Sequence, residues 1–238
     1  GLGDVYKRQE LRTVFFLSLF RAATSLSLVI AYQHIASGVA STIHFMYPLA
    51  VALAMMCFFR EKGSVWVFAA IGMSIVGAVL LSLGNVDFTR GNTTLGMVSA
   101  AVSVVSYGGY IVGVRKSRAV GIDSTVLTCY VMGLGALYFI AGGLVTGGIR
   151  IETDGTAWLC ILGVALPATA VSNMTLVQAI KRIGPTLTSV FGALEPLTAV
   201  VIGVAVFGEP FTVQGAAGIL LIVAAVTIVI LHSGRRKA

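Results

Sequence analysis

Long apolar segments determine what this chain can fold into. Eight such runs follow one another, and each is long enough to cross the roughly 30 Å hydrocarbon layer of a bilayer as a helix. The runs cover residues 12–35, 37–59, 64–84, 93–114, 124–146, 156–180, 184–207 and 211–232. Because the connections are short, neighbouring helices are predicted to run antiparallel. Strands of a membrane barrel would be shorter and would alternate in polarity, so the sequence predicts an all-α, polytopic membrane helical bundle.

The charged residues are few and unevenly distributed. Of the 238 residues, 57% are hydrophobic and only 11% are charged, so the predicted partners are the lipid bilayer and a small-molecule substrate. The net charge of +7 does not indicate nucleic-acid binding, because the basic residues lie at the ends of apolar runs. If the basic cluster 235–237 is cytoplasmic, nearly all basic residues outside the spans share its side, and only Arg90 and Arg150 lie opposite. The sequence therefore predicts a multi-pass protein of the inner (cytoplasmic) membrane with a cytoplasmic C-terminus.

A short pattern occurs twice, 148 residues apart. The first copy contains Pro48, Leu49, Phe59 and Glu61, and the second contains Pro196, Leu197, Phe207 and Glu209. The copies fall in the second and seventh predicted spans, an odd number of crossings apart, so they are predicted to run in opposite directions as an inverted repeat. Subtracting the offset moves spans 93–114 and 124–146 to positions before residue 1. We therefore expect eight helices of an apparent ten-helix transporter that is truncated at its N-terminus.

The repeat also predicts the domain organisation. Residues 1–11 are interpreted as a non-native or cytoplasmic leader, and residues 12–84 as an incomplete first repeat of three helices. Residues 93–232 form a second repeat of five helices, and residues 233–238 a basic cytoplasmic tail.

Both copies carry a Pro-Leu pair inside an apolar helix that ends about twelve residues later in an aromatic-x-Glu motif. The text reads Tyr47-Pro48-Leu49 with Phe59-Arg60-Glu61, and Leu194-Glu195-Pro196-Leu197 with Phe207-Gly208-Glu209-Pro210. This doubled arrangement over residues 12–232 resembles the EamA type of the drug/metabolite transporter superfamily. The resemblance implies a ten-helix exporter or importer of small metabolites that works by alternating access around a central cavity. On this resemblance, the family's first two helices are expected to be missing before residue 12.

These observations favour a secondary transporter of a small organic metabolite or amino-acid-like solute, with export as the expected direction. An inactive truncated fragment or a non-transporting membrane scaffold stays open as an alternative. An intramembrane enzyme is the least favoured interpretation, since no convergent catalytic pair occurs at one depth, and the chain is not predicted to be an enzyme. No cofactor motif and no paired Cys/His cluster occurs, so neither a cofactor nor a metal is expected. The sequence does not decide whether a proton is the coupling ion, and it does not decide whether the protein forms a homodimer.

Two charged residues fall inside predicted spans, where charge is costly and often functional. Glu195 precedes Pro196 about half-way along its span. It is predicted either to couple transport to protons or bind an amine, or simply to hydrogen-bond backbone groups that Pro196 leaves unpaired. Arg21 lies nine residues into the first span, and the favoured interpretation is that it snorkels toward the side of Arg12.

Polar side chains at helical spacing predict a substrate cavity. The candidate residues are Tyr32, His44, Tyr47, Ser103, Tyr107, Tyr110, Thr169 and Asn173. The alternative is that these groups, the Ser and Thr hydroxyls above all, hydrogen-bond between helices without touching a solute. Pro48 and Pro196 are predicted to kink their spans and serve as hinges near the cavity, or to form static kinks.

Overall fold

The computed structural model describes residues 8–61, 63–82, 91–148, 153–192, 194–207 and 213–235. Over these ranges the secondary structure is helical apart from turns and one isolated bridge residue. The helices are α1 (Arg8–His34), α2 (Ser37–His44), α3 (Tyr47–Phe59), α4 (Val65–Ser82), α5 (Thr93–Lys116), α6 (Ser124–Thr146), α7 (Gly155–Gly163), α8 (Ser172–Ile183), α9 (Pro185–Phe191), α10 (Leu194–Phe207) and α11 (Val213–Arg235). A π-helical segment, Val164–Val171, joins α7 to α8, and a short 3₁₀ turn, Arg118–Gly121, follows α5.

Every predicted apolar run contains one or more of these helices, so the chain is a helical membrane protein. Within the described residues, five helical stretches are long and apolar enough to cross a membrane. They are Glu10–His34, Val39–Phe59, Thr93–Lys116, Ser124–Thr146 and Gly155–Ile183. Val65–Leu80 and Val213–Ile228 are apolar but shorter. The predicted run 184–207 is divided between two helices, α9 and α10.

The chain forms two compact units. The first unit comprises Gly1–Ala23 and Tyr110–Gly184, and the second comprises Thr24–Gly109 and Pro185–Ala238. Helices α1 and α5 are each divided between the two units. The units do not follow the predicted repeats, because each draws on both halves of the sequence, and the division into repeats stays a prediction.

The core of the second unit forms where α4 packs along α11. Fully buried Ile71 and Ala225 belong to this core together with Val190 of α9. Small residues let the helices approach closely, as is typical of membrane helices. At Gly77 of α4, a Cβ atom would lie 2.7 Å from a side-chain carbon of Ile222 and 2.8 Å from the backbone oxygen of Gly218.

The first unit is organised by α6, α8 and the π-helical segment, which contact one another. Two aspartates cap its helices. The Asp123 carboxylate accepts hydrogen bonds from the amides of Thr125 and Val126 at the start of α6. These bonds hold the pKa of the Asp123 carboxyl below its usual range, and the bond from Val126 contributes most. Asp154 caps α7 in the same way.

The contact at Gly77 yields a test of the second unit. We expect Gly77→Ala to lower the free energy of unfolding by about 1–3 kcal/mol, because the new methyl group meets a backbone atom that cannot rotate away. Gly72→Ala, on the same helix with nothing within 4 Å, is the matched control and should not destabilise the protein. Thermal unfolding in detergent measures both variants, and equal unfolding temperatures would contradict the close α4–α11 contact.

Candidate functional site

The span that carries Pro48 contains a short turn between two helices. Helix α2 ends at His44 and α3 begins at Tyr47, with a turn at Phe45 and Met46 between them. Pro48 is buried in the first turn of α3, where its missing amide hydrogen costs nothing, since first-turn amides have no partner within a helix. Pro48 therefore lies at the start of α3, directly after the turn, and its roles as kink and hinge stay predictions.

The span that carries Pro196 is interrupted at the corresponding place. Helix α9 ends at Phe191 and α10 begins at Leu194, so Pro196 again lies in a first helical turn. The outer helix boundaries of the two copies agree at the offset of 148: α2 and α9 begin at Ser37 and Pro185, and α3 and α10 end at Phe59 and Phe207. The inner boundaries, at the end of α2 and the start of α3, differ by one residue from those of α9 and α10. Residues 37–59 and 185–207 thus share one design of two short helices in succession.

The interruption changes the environment of Glu195. This residue lies in the first turn of α10, at the middle of the predicted run 184–207. Its backbone amide bonds the carbonyl of Gly192 at 3.0 Å, and its side chain is exposed. Helix N-termini stabilise negative charge, so this position favours a carboxylate more than the middle of a helix would.

The two interruptions meet in the second unit, where α3 packs against α9. The hydroxyl of Tyr47, the first residue of α3, occupies the space beside Gly192 that a side chain would need. Tyr47 is only 2% exposed, and its hydroxyl interacts electrostatically with the carboxylate of Glu195. Gly192 is therefore required by the close approach of Tyr47.

An aromatic cluster surrounds the end of α2. The ring of His44 lies 5.6 Å from that of Tyr47 and 5.3 Å from that of Tyr107, and the two tyrosine rings meet edge to face at 4.7 Å. Tyr107 is buried, and it projects from α5. Edge-to-face rings at such distances attract each other beyond simple burial. The structure thus brings together three residues that the sequence predicts to line a cavity, and the cavity itself stays a prediction.

Ser103 determines the tautomer of His44. The Ser103 hydroxyl donates to the carbonyl of Ala100 at 2.6 Å and lies 2.9 Å from Nδ1 of His44. A hydroxyl has one proton to donate, so Ser103 has to accept from the imidazole. In the neutral ring the proton is therefore on Nδ1. Tyr32 does not share these contacts, because its hydroxyl lies 3.3 Å from Oγ of Ser41 and 38% of the residue is exposed.

A second polar cluster lies in the first unit. Nε of Arg21 donates to Oδ1 of Asn173 at 3.2 Å, and Nδ2 of Asn173 donates to the carbonyl of Thr169 at 2.7 Å. Tyr110 is fully buried and interacts electrostatically with Arg21. The predicted residues Tyr110 and Asn173 thus share Arg21 as a neighbour, and Thr169 contacts Asn173. Sequence reasoning did not include Arg21 among the site residues.

Arg21 is paired with Asn173 in the structure, and its snorkelling toward the side of Arg12 stays a prediction. It lies at the midpoint of α1, thirteen residues from Arg8 and from His34. At 1.5 Å per residue the α-carbon of Arg21 is roughly 20 Å from either end of α1. Two sequence features could have indicated this pairing. Arg21 lies inside a predicted span, and Asn173 is an uncharged hydrogen-bonding residue inside another span far away in the sequence.

The span 155–183 changes its helical pitch at the π-helical segment. Pro167 lies within this segment and cannot donate a backbone hydrogen bond. The hydroxyl of Thr169 bonds the carbonyl of Val164, five residues earlier, at 2.9 Å. Such segments occur frequently at functional sites. Here the segment supplies the Thr169 carbonyl that orients Asn173.

The first unit also contains a cavity of about 650 Å³ between α6 and the π-helical segment. Its walls are apolar and include Met132, Cys160, Ile161 and Val164. The one hydroxyl of its lining, on Thr169, already bonds the backbone, so this cavity offers little to a polar solute. Among the described residues, no three His, Cys, Asp or Glu side chains come together as metal ligands.

The meeting of the two interruptions can be tested with a double-mutant cycle. Gly192→Ala should destabilise the protein by about 1–3 kcal/mol, because its methyl group overlaps the Tyr47 hydroxyl. Tyr47→Phe should recover part of that loss in the double variant. Gly133→Ala, which meets nothing within 4 Å in the first unit, is the control. Strictly additive effects on thermal unfolding would refute the contact.

Comparisons with known proteins agree with this architecture. Residues 94–231 match the EamA-like transporter family. An "Uncharacterized transporter" of Archaeoglobus fulgidus is 24% identical over 91% of this chain and 76% of its own length. The "Uncharacterized inner membrane transporter YicL" of Salmonella typhimurium is 22% identical over 96% and 76%. A crystal structure titled only as that of a protein aligns with a TM-score of 0.80 at 17% identity, over 97% of this chain and 80% of that one, which shows a shared fold. The chain belongs to the EamA-like transporter family and is a multi-pass membrane transporter.

Proposed function

We propose that the protein is a secondary transporter that moves a small organic solute across the cytoplasmic membrane, in the direction of export, by alternating access. The observation that carries this proposal is the meeting of two interrupted spans at Tyr47 and Gly192. Irregular backbone at membrane depth is tolerated only where protein buries it or water reaches it. In secondary transporters, interrupted helices of this kind commonly form the substrate site near the bilayer midplane.

The membrane arrangement is part of the proposal. The eight apolar runs act as eight spans of a ten-helix inverted-repeat design, with the C-terminus in the cytoplasm. The equal outer boundaries of α2–α3 and α9–α10 support descent of both segments from one ancestral unit. The two segments run in opposite directions through the bilayer in this proposal. As the repeats rock, the interruption of one segment opens to one side of the membrane, and then that of the other segment opens to the other side.

The cluster of His44, Tyr47, Tyr107 and Ser103 is the part of the second unit that we assign to the solute. Its aromatic rings offer apolar contact area, and its hydroxyl and imidazole groups offer hydrogen bonds at fixed positions. Tyr32 and Ser41 extend the polar surface along α1 and α2. In the first unit, Tyr110, Thr169 and Asn173 have the same role in this proposal.

Pro48 and Pro196 have the role of hinges. Each starts a helix directly after a turn, where few backbone hydrogen bonds connect the two parts of a span. Motion at such a turn breaks less regular structure than motion inside a helix would. Conformational change in transporters and enzymes concentrates at these element ends.

The function is tested by flux in proteoliposomes containing the purified chain, loaded with radiolabelled amino acids and organic acids in turn. We expect exchange for one or more solutes. Tyr107→Ala should then change the solute preference by about tenfold or more, since it removes an aromatic wall of the site. Tyr130→Ala, which alters an exposed tyrosine in the first unit, is the control. Absence of flux for every solute, with folded protein in the vesicles, would contradict transport by this chain.

Proton coupling is assigned to Glu195. Glu195→Gln removes the titrating group but keeps the shape of the side chain, so uptake driven by a pH gradient should fall about tenfold or more. Solute exchange at equal pH should persist, because it needs no net proton movement. Glu61→Gln, at the exposed end of the α3 segment, is the matched control. Unchanged pH-driven uptake in Glu195→Gln would disprove the coupling role.

A further inference from the structure

We infer that the first unit binds one anionic phospholipid, with its headgroup on a basic cluster at the ends of α5 and α8 and one acyl chain in the apolar cavity beside α6. Because this ligand is a lipid and not the transported solute, the site can be tested without measuring transport. The basic cluster consists of Arg115, Lys116, Arg118, Lys181 and Arg182.

Two hydrogen bonds join the three segments that meet at the basic cluster. Nη1 of Arg115, in the last turn of α5, donates to the backbone carbonyl of Lys181 in the last turn of α8. Nζ of Lys181 donates to the carbonyl of Ile122, which directly precedes Asp123, the capping residue of α6. The ends of α5 and α8 and the start of α6 are therefore adjacent, and cationic side chains tie them together.

The basic cluster carries an excess of positive charge. Residues 115–123 and 181–184 contain five basic residues and one acidic residue, Asp123. The Asp123 carboxylate accepts hydrogen bonds at the start of α6, while Arg118 and Arg182 are exposed. Basic pockets between the ends of membrane helices attract anionic headgroups, and the forked donors of an arginine match a phosphate. The chemistry of the cluster therefore fits a phosphate-bearing headgroup.

The 3₁₀ turn Arg118–Gly121 places apolar and basic groups side by side. Ala119 is fully buried and holds the turn against the protein. Its neighbours Arg118 and Val120 are both exposed, Val120 at 43%. Ile183, at the end of α8, is 41% exposed as well. Apolar side chains beside cations suit the boundary between headgroups and acyl chains, so this end of the unit has the composition of a lipid contact.

The apolar cavity of about 650 Å³ lies deeper along the same helices. Met132 of its lining is eight residues beyond Ser124, the start of α6, which corresponds to about 12 Å along the helix. The chains of one leaflet fill ~15 Å, half of the hydrocarbon layer, so an acyl chain reaches this depth. Cys160 and Ile161 of the lining are exposed, so the cavity is accessible from outside the protein.

One phospholipid accounts for both features, whereas simpler ligands account for one. A free anion would bind the basic cluster and leave the apolar cavity without a ligand. An apolar solute would fill the cavity and leave the cluster unused. The hydroxyl of Thr169 in the cavity lining already bonds the carbonyl of Val164 at 2.9 Å, so the walls suit a chain without polar groups. Acyl chains are also the apolar groups that surround every membrane-spanning helix.

Lipid binding is tested by titrating the purified chain in a neutral detergent and counting bound lipid by native mass spectrometry. Phosphatidylglycerol is compared with phosphatidylcholine of the same acyl chains and with glycerol phosphate, which has the headgroup chemistry without the chains. We expect phosphatidylglycerol to bind about tenfold or more tightly than either. Equal binding of the two lipids would overturn the inference, and so would glycerol phosphate binding as tightly as the lipid. Displacement of the lipid by a second copy of the chain would also overturn it.

Two sets of variants test the headgroup and the chain separately. Arg118→Gln and Arg182→Gln each remove one exposed charge and should weaken phosphatidylglycerol binding about fivefold, while Arg60→Gln, at an exposed helix end of the second unit, is the matched control. Ala165→Trp fills part of the cavity and should weaken binding by a similar factor. Its control is Ala141→Trp, at an exposed position of α6 outside the cavity lining. Wild-type affinity in both arginine variants, or in Ala165→Trp, refutes the site.

Cys160 provides a test of the chain position that needs no substitution, which decides the question if Ala165→Trp fails to fold. Cys160 lines the cavity and is exposed, and Cys57 of the second unit is exposed as well. With phosphatidylglycerol at about ten times its dissociation constant, maleimide labelling of Cys160 should slow about tenfold, because only the lipid-free protein reacts. Labelling of Cys57 should keep its rate. Equal rates at Cys160 with and without the lipid would overturn the inference.

Discussion

A polypeptide in hydrocarbon has to pair its own backbone hydrogen-bonding groups, and this constraint governs the architecture of the protein. Continuous helices such as α5 and α6 satisfy it without help. The interrupted spans α2–α3 and α9–α10 do not, so their exposed backbone ends need protection. The protein supplies it by bringing the two interruptions together, with the ring of Tyr47 buried against Gly192. The two interruptions, where backbone pairing is incomplete, thus lie together in one packed and polar region.

The polar groups of the protein follow the same logic. His44 and Ser103 bond each other, and the Ser103 hydroxyl donates a hydrogen bond to a carbonyl of its own helix. The Asn173 amide bonds both Arg21 and the π-helical segment. Ser103 and Asn173 are buried and each has a hydrogen-bond partner, as low dielectric surroundings demand. Groups arranged in this way keep fixed positions, and fixed positions are what recognition of a small solute requires.

Much of the fold could be predicted from the sequence, since long apolar runs bounded by Gly, Pro and charged residues define helices in a membrane. The run 124–146 coincides with α6. The interruptions could not be predicted, because a proline in an apolar run looks the same whether it bends a helix or begins one. What decides between the two is a turn at Phe45 and Met46, two residues with no turn preference of their own.

The site residues divide in the same manner. His44, Tyr47 and Tyr107 could be grouped because their types are unusual in an apolar setting, and their rings do meet. The pairing of Arg21 could not be predicted, because its partner Asn173 lies 152 residues away in the chain. Tertiary pairing of that kind leaves no periodic trace in a sequence.

The tautomer of His44 has one more consequence. Because Nδ1 carries the hydrogen that it donates to Ser103, Nε2 of the neutral ring holds the lone pair and can only accept a hydrogen bond. The bond to Ser103 therefore sets the polarity of the opposite edge of the imidazole. One serine hydroxyl on α5 thereby decides which kind of polar group, a donor and not an acceptor, suits that edge of the ring.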